Sequence, residues 1–135
     1  MSGILLAAGC CCEGSPCDDC SDPSATTVAV SGGYNATLAY DAKYTSECEC
    51  YWTWSHVVDE VTLFTLTILW TGSSWCAQGY QMSTATRWRN STLCSCGTAA
   101  GVVSGLACDS ASGKITGSFS LPKVGGGTAI SVSMT

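Results

Sequence analysis

The chain has 135 residues, with five Lys and Arg against ten Asp and Glu and a formal charge of −5. Only 11% of its residues are charged while 46% are hydrophobic, which excludes a solvated disordered chain and supplies one apolar core. Five cations on a net-negative chain do not neutralise a phosphate backbone, so a nucleic-acid partner is excluded as well.

The chain opens on a short apolar tip, Ile4 to Ala8, followed by Gly9-Cys10. No Lys or Arg precedes this tip and it falls short of the about 7–15 apolar residues of a signal peptide, so Ala8-Gly9-Cys10 is not read as a lipoprotein cleavage site. No window reaches the ~18 apolar residues of a membrane span, and no membrane insertion is expected. Exposed Ile4, Leu5 and Leu6 at a free end are poorly tolerated by water. They are therefore expected to dock against another subunit.

A cysteine knot follows: Cys10, Cys11, Cys12, Cys17 and Cys20, set among Gly14, Pro16, Asp18, Asp19, Asp22 and Pro23. Pro and Gly at this density forbid a regular helix or a central strand. Residues 1–25 are accordingly read as an irregular docking arm, and residues 26–135 as the folded domain. Cys17-Asp-Asp-Cys20 has zinc-ligand spacing, and Cys10 to Cys12 would complete a four-sulfur site. Disulfides are the competing reading for the same five thiols.

From Ala25 onward the pattern is β. Val28 and Val30 share one face of 26–31, and Ala36, Leu38 and Tyr40 share a face after the Gly32-Gly33 turn. Segment 50–58 places Trp52 and Trp54 together, and 61–70 aligns Phe64, Leu66, Ile68 and Trp70. Weaker strands are expected over 78–89 and 100–107. Strong alternation returns in 114–121 and 128–134, joined by the Gly-rich hairpin loop Pro122 to Gly127. Helical periodicity is absent, since β-branched Thr and Val dominate. The expected fold is all-β: a β-sandwich or jelly roll of about eight short strands.

Eleven cysteines point to an oxidising final environment, and the odd number leaves at least one thiol for metal, solvent or another chain. Cys48 with Cys50, and Cys94 with Cys96, each put two thiols about 7 Å apart on one side of an extended segment. They are read as candidates for cross-linking one another, with a shared metal ion as the alternative. Cys76 and Cys108 complete the disulfide candidates.

Catalysis has little to stand on. His56 is the one histidine, beside Ser55 and upstream of Asp59 and Glu60, and a Ser-His-Asp set can be drawn from almost any such list. No nucleophile elbow, HExxH or P-loop is present, and no enzyme, cofactor or catalytic residue is expected. Trp52, Trp54 and Trp70 are read as core. Trp75, next to Cys76, and Trp88, between Arg87 and Arg89, are read as exposed and as candidate glycan contacts.

Cys10–Cys20, Val28-Ala-Val-Ser-Gly32, Cys50-Tyr-Trp52 and Gly117-Ser-Phe-Ser-Leu121 together resemble small cysteine-rich β proteins encoded among the virion structural genes of tailed bacteriophages, and related modules of environmental bacteria. The resemblance implies a non-enzymatic virion component, either a tail-tip or fibre attachment part or a capsid decoration protein. It also implies a chain made in the host cytoplasm without a signal peptide and carried outside in the particle, with other virion proteins or further copies of itself as partners and a host-surface glycan as a candidate target. The rivals are a secreted or cell-surface carbohydrate-binding module and a small metal-binding lipoprotein.

Overall fold

The computed structural model describes residues 18–45, 50–94 and 100–135. The chain is all-β, as its alternation predicts. Ten strands run as β1 (Val28–Gly32), β2 (Ala36–Thr45), β3 (Cys50–Val58), β4 (Val61–Trp70), β5 (Trp75–Gln81), β6 (Thr86–Trp88), β7 (Val102–Val103), β8 (Ala107–Asp109), β9 (Lys114–Leu121) and β10 (Ile130–Met134). They form one antiparallel sheet in the order β6-β5-β4-β3-β2-β1-β10-β9-β8, with β7 attached to β5. The two layers expected of a sandwich are two halves of this single curled sheet, a half-barrel around one core.

Two meanders make the sheet, β1 to β6 and β8 to β10, and the β1–β10 ladder joins them, with Val30 opposite Val132. The ladder continues beyond the named strands, where Thr27 N–H donates to the Thr135 carbonyl at 2.8 Å and Thr135 N–H returns a bond at 2.9 Å. Curling brings the far side round as well. Arg89 N–H donates to Pro122 O at 3.0 Å and Val124 N–H to Arg87 O at 2.9 Å, so a short seam stitches β6 to the loop after β9. Closure of this kind hides an edge that would otherwise invite pairing with another chain.

Period-2 alternation decides what fills the interior. Val28, Val30, Trp52, Trp54, Phe64, Leu66, Ile68, Trp88, Ile115, Leu121, Ile130, Val132 and Met134 are all buried. Burying one such side chain contributes roughly 1.5–3 kcal/mol. Gly79 shows how closely the halves approach: a Cβ there would lie 2.8 Å from the Phe64 ring and 3.0 Å from the Ile130 δ-methyl. The indole N–H groups of Trp52, Trp54 and Trp70 are buried without a hydrogen-bond partner among the described residues. Apolar packing of the rings outweighs those unmade bonds, at about 1–3 kcal/mol each.

Two disulfides with both cysteines among the described residues brace the body. Cys20 pairs with Cys108, tying the segment before β1 to β8, and Cys76 of β5 pairs with Cys94. Cys50 is also disulfide-bonded. The arm before Asp18, with Ile4, Leu5, Leu6, Cys10, Cys11, Cys12 and Cys17, lies outside the described residues, as do Cys48 and Cys96.

Candidate functional site

The cysteine positions decide between the two readings of Cys20 and replace the expected partner of Cys94. Cys20 is not available as a zinc ligand: its sulfur is bonded to the half-buried Cys108, and Cys20 itself is buried beside β9, where its Sγ also lies 3.2 Å from the Lys114 carbonyl. Cys94 is joined to Cys76 and so does not cross-link the 48/50 pair. The nearer partner wins because the chain after β6 folds back onto β5, with Ala77 N–H of β5 donating to Gly101 O at 2.9 Å and β7 paired to β5. Among the described residues no group of three or more His, Cys, Asp or Glu is placed to hold a metal ion.

Trp88 corrects another expectation. It is 2% exposed, its ring packs 5.9 Å from Phe64, and its Nε1–H donates to Thr128 O at 2.9 Å, so it offers no face to a sugar. Arg87 and Arg89 flank it in sequence but leave the strand on the opposite side. Trp75 is half-buried and tilted against Trp70 and Trp52, at 5.2 and 5.9 Å between ring centroids.

His56 sits on the core side of β3, half-buried, with Nδ1 2.7 Å from the Tyr34 hydroxyl. Burial holds that hydroxyl above its ordinary pKa of 10.0, so at neutral pH it remains protonated. Tyr34 also stacks on Phe64 at 4.5 Å, which makes it a cover over one end of the core. Ser55 bonds Thr65 across the β3–β4 ladder, and Asp59 and Glu60 form the exposed turn beyond β3. A Ser-His-Asp triad is not assembled from these groups.

Two surfaces remain as sites for contact. The first is the outer face of β1, β10 and β9, where Ser31 stands opposite Ser131, Ser131 opposite Ser120, and Ser133 opposite Ser118. These five exposed hydroxyls border a shallow depression of about 460 Å³, without a charge on it.

The second is the seam. Trp88 and Lys123 face each other in an isolated antiparallel bridge, with Arg87 and Arg89 on either side of Trp88. Three of the chain's five cations thus lie on three consecutive rungs, with Lys123 on the face of Trp88 and the two arginines on the other. Arg87 lies over the Tyr80 ring at 4.7 Å, and Arg89 donates from Nη1 to Gln78 Oε1 at 3.3 Å. Two open clefts of about 360 and 400 Å³ meet at Lys123. Gln81, Thr84 and Thr86 border the first, and Arg89, Asn90 and Ser91 the second. The sequence reading passed over this cluster. Its signal is there to be seen: no Asp or Glu occurs between Glu60 and Asp109, and the only charges in that stretch are Arg87 and Arg89. The approach of Lys123 is a product of sheet closure and leaves no local trace.

No protein-family model, curated protein or solved structure matches the chain.

Proposed function

We propose that the protein is a non-enzymatic virion component of a tailed bacteriophage, a tail-tip or fibre attachment part or a capsid decoration protein, held in the particle by residues 1–25. The observation that carries this reading is the disulfide-braced half-barrel whose outer β1–β10–β9 face holds small uncharged hydroxyl side chains. Such a face packs against a neighbour without the desolvation cost that a buried unpaired charge imposes. Disulfides fit a body that works outside the reducing cytoplasm, reached when cells lyse. The exposed Val57, Val58 and Val61 around the β3–β4 turn add an apolar tip suited to a further contact. Attachment by many copies on one particle turns weak contacts into avidity.

The test is co-sedimentation. Particles released from cells expressing the full chain should carry it through a density gradient, and deletion of residues 2–9 should remove it from the particle band while the purified protein stays folded. Retention of the deleted form in the particle band rejects the docking role, and absence of the full chain from every particle rejects the reading itself.

A further inference from the structure

The β3–β4 hairpin overhangs the sheet. Its neighbours stop short: the last β2–β3 rung is Ala39 with Ser55, and the last β4–β5 rung is Phe64 with Gln81. Beyond them Val57 with Thr62 and Val58 with Val61 stand clear as a two-stranded finger. Val57, Val58 and Val61 are 51, 44 and 57% exposed. Met82, whose N–H donates to Leu63 O at 3.0 Å, adds a fourth exposed apolar side chain at the same end. Exposed apolar side chains gathered at one tip mark a contact surface. The turn that ends the finger carries Asp59 and Glu60 at φ of 52° and 66°, where Asn-Gly sits more easily. Strain kept at an exposed tip points to a use for the two carboxylates.

A surface of matching character lies on the outer side of β6. Arg87 and Arg89 alternate with the inward Trp88, so both project outward. The seam adds to that side. Val124 stands beside Arg87 and Pro122 beside Arg89, on the rungs that flank the Trp88–Lys123 bridge. Lys123 points with Trp88 and takes no part. Pro122 and Val124 are exposed, and with Arg89 they border an open cleft of about 400 Å³. Neutral partners fix both guanidiniums: Arg87 lies over the Tyr80 ring at 4.7 Å, and Arg89 donates to Gln78 Oε1 at 3.3 Å. Among the described residues no carboxylate pairs with either arginine, and no cation pairs with Asp59 or Glu60.

Each surface supplies what the other lacks. Two acids set among valines match two arginines set beside proline and valine, and every copy of the chain carries both. We infer that the finger of one copy seats on the Arg87–Arg89 face of another. Asp59 and Glu60 meet the guanidiniums there, and the valines cover Pro122 and Val124. Arginine suits such a contact because its planar fork grips a carboxylate with two parallel bonds. This inference rests on the attachment reading above and names one partner, a second copy, which gives the repeated assembly that avidity requires.

The experiment is sedimentation velocity on the purified full chain from about 1 to about 200 μM, at about 50 and about 500 mM NaCl. Reversible association is expected, at least about threefold weaker at high salt as screening takes effect. Val58→Thr with Val61→Thr keeps the branched side chains and should weaken association about tenfold or more. Asp59→Lys/Glu60→Lys and Arg87→Glu/Arg89→Glu should each do the same, because each sets like charges face to face. Mixing those two charge-reversed variants should restore association. The reversed finger of one fits the reversed face of the other, and their unaltered finger and face still match. Misfolding does not produce that recovery, and circular dichroism shows whether each variant is folded. Should a reversed variant fail to fold, the threonine variant decides alone. A chain that stays monomeric throughout the range overturns the proposal. So does association that survives either charge reversal unchanged, or a mixture of folded reversed variants that stays monomeric. Monomers that still travel with particles would sink the self-contact and spare the virion reading. Associating chains absent from every particle would do the reverse.

Discussion

Trp88 Nε1–H donates to the carbonyl of Thr128 at 2.9 Å, joining residues 40 positions apart. β6 and the β9–β10 connection lie far apart in strand order, and this bond with the Arg87–Val124 and Arg89–Pro122 pairs clasps them together. Trp88 is therefore a closing residue for the body.

Trp88→Ala should lower unfolding free energy by about 3–5 kcal/mol, and Trp88→Phe by roughly 1–2 kcal/mol, since it keeps most of the ring but loses the bond to Thr128. Guanidinium denaturation measures both. A Trp88→Ala protein as stable as the parent would show that the clasp lies elsewhere.

The two disulfides should differ in worth. Cys20–Cys108 closes a sequence separation of 88 and Cys76–Cys94 one of 18. In the chain-entropy model these correspond to about 4.5 and about 3 kcal/mol. Cys20→Ser/Cys108→Ser should thus shift the urea midpoint further than Cys76→Ser/Cys94→Ser. Double replacement avoids leaving a stray thiol. The reverse order would mean that the unfolded chain is already compact around residues 20–108.

The β3–β4 turn carries a correctable local cost. Asp59 and Glu60 have φ of 52° and 66°, the backbone of a two-residue turn that favours Asn-Gly. A non-glycine residue in this region costs roughly 1–2 kcal/mol, part of which a glycine gives back through greater freedom in the unfolded chain. Glu60→Gly should raise stability by about 0.5–1 kcal/mol in thermal or chemical denaturation. A loss of stability would indicate that Glu60 makes a contact outweighing its backbone strain.

Alkaline pH should weaken the fold through two tyrosines. Burial raises the pKa of Tyr34 above 10.0; burial does the same at Tyr40, with the negative charges of Asp22 and Asp41 adding to it. Above pH 10 the unfolded chain has released these protons while the folded one still holds them, so stability is complete below that point and declines as pH rises through the folded values. Between about pH 9 and about pH 11, Tyr34→Phe/Tyr40→Phe should lose less of its denaturation midpoint than the parent does. Parallel curves for the two proteins would remove both tyrosines from the alkaline response.

Much of the body is legible in the sequence where one face is apolar and the other hydroxylated. β3, β4 and β9 fall on the residues that alternation marks, and the loop after β9 is announced by its glycines. Reading fails where the signal is not periodic. The expected strand over 78–89 is two strands, because the turn at Met82–Ala85 contains neither Gly nor Pro, although Ala85 takes φ of 51°. Trp88 is misread because charged neighbours suggest exposure, whereas in a strand they point away from it. Cysteine pairing depends on which strands the curl brings together, and spacing along the chain does not contain that. The seam cluster is hidden for the same reason: Lys123 is 34 positions from Arg89 and meets it only through closure.

The Cys20–Cys108 bond also sets how the molecule would bear load. Tension applied through the amino-terminal arm enters at Cys20 and crosses a covalent link into β8. From there it runs along β9 to Pro122 and the seam, bypassing the chain between the two sulfurs. A pull that enters at Cys20 and leaves at Pro122 crosses about fifteen residues of backbone in place of roughly a hundred. The body's extensible length under force is correspondingly short while that one bond stays oxidised.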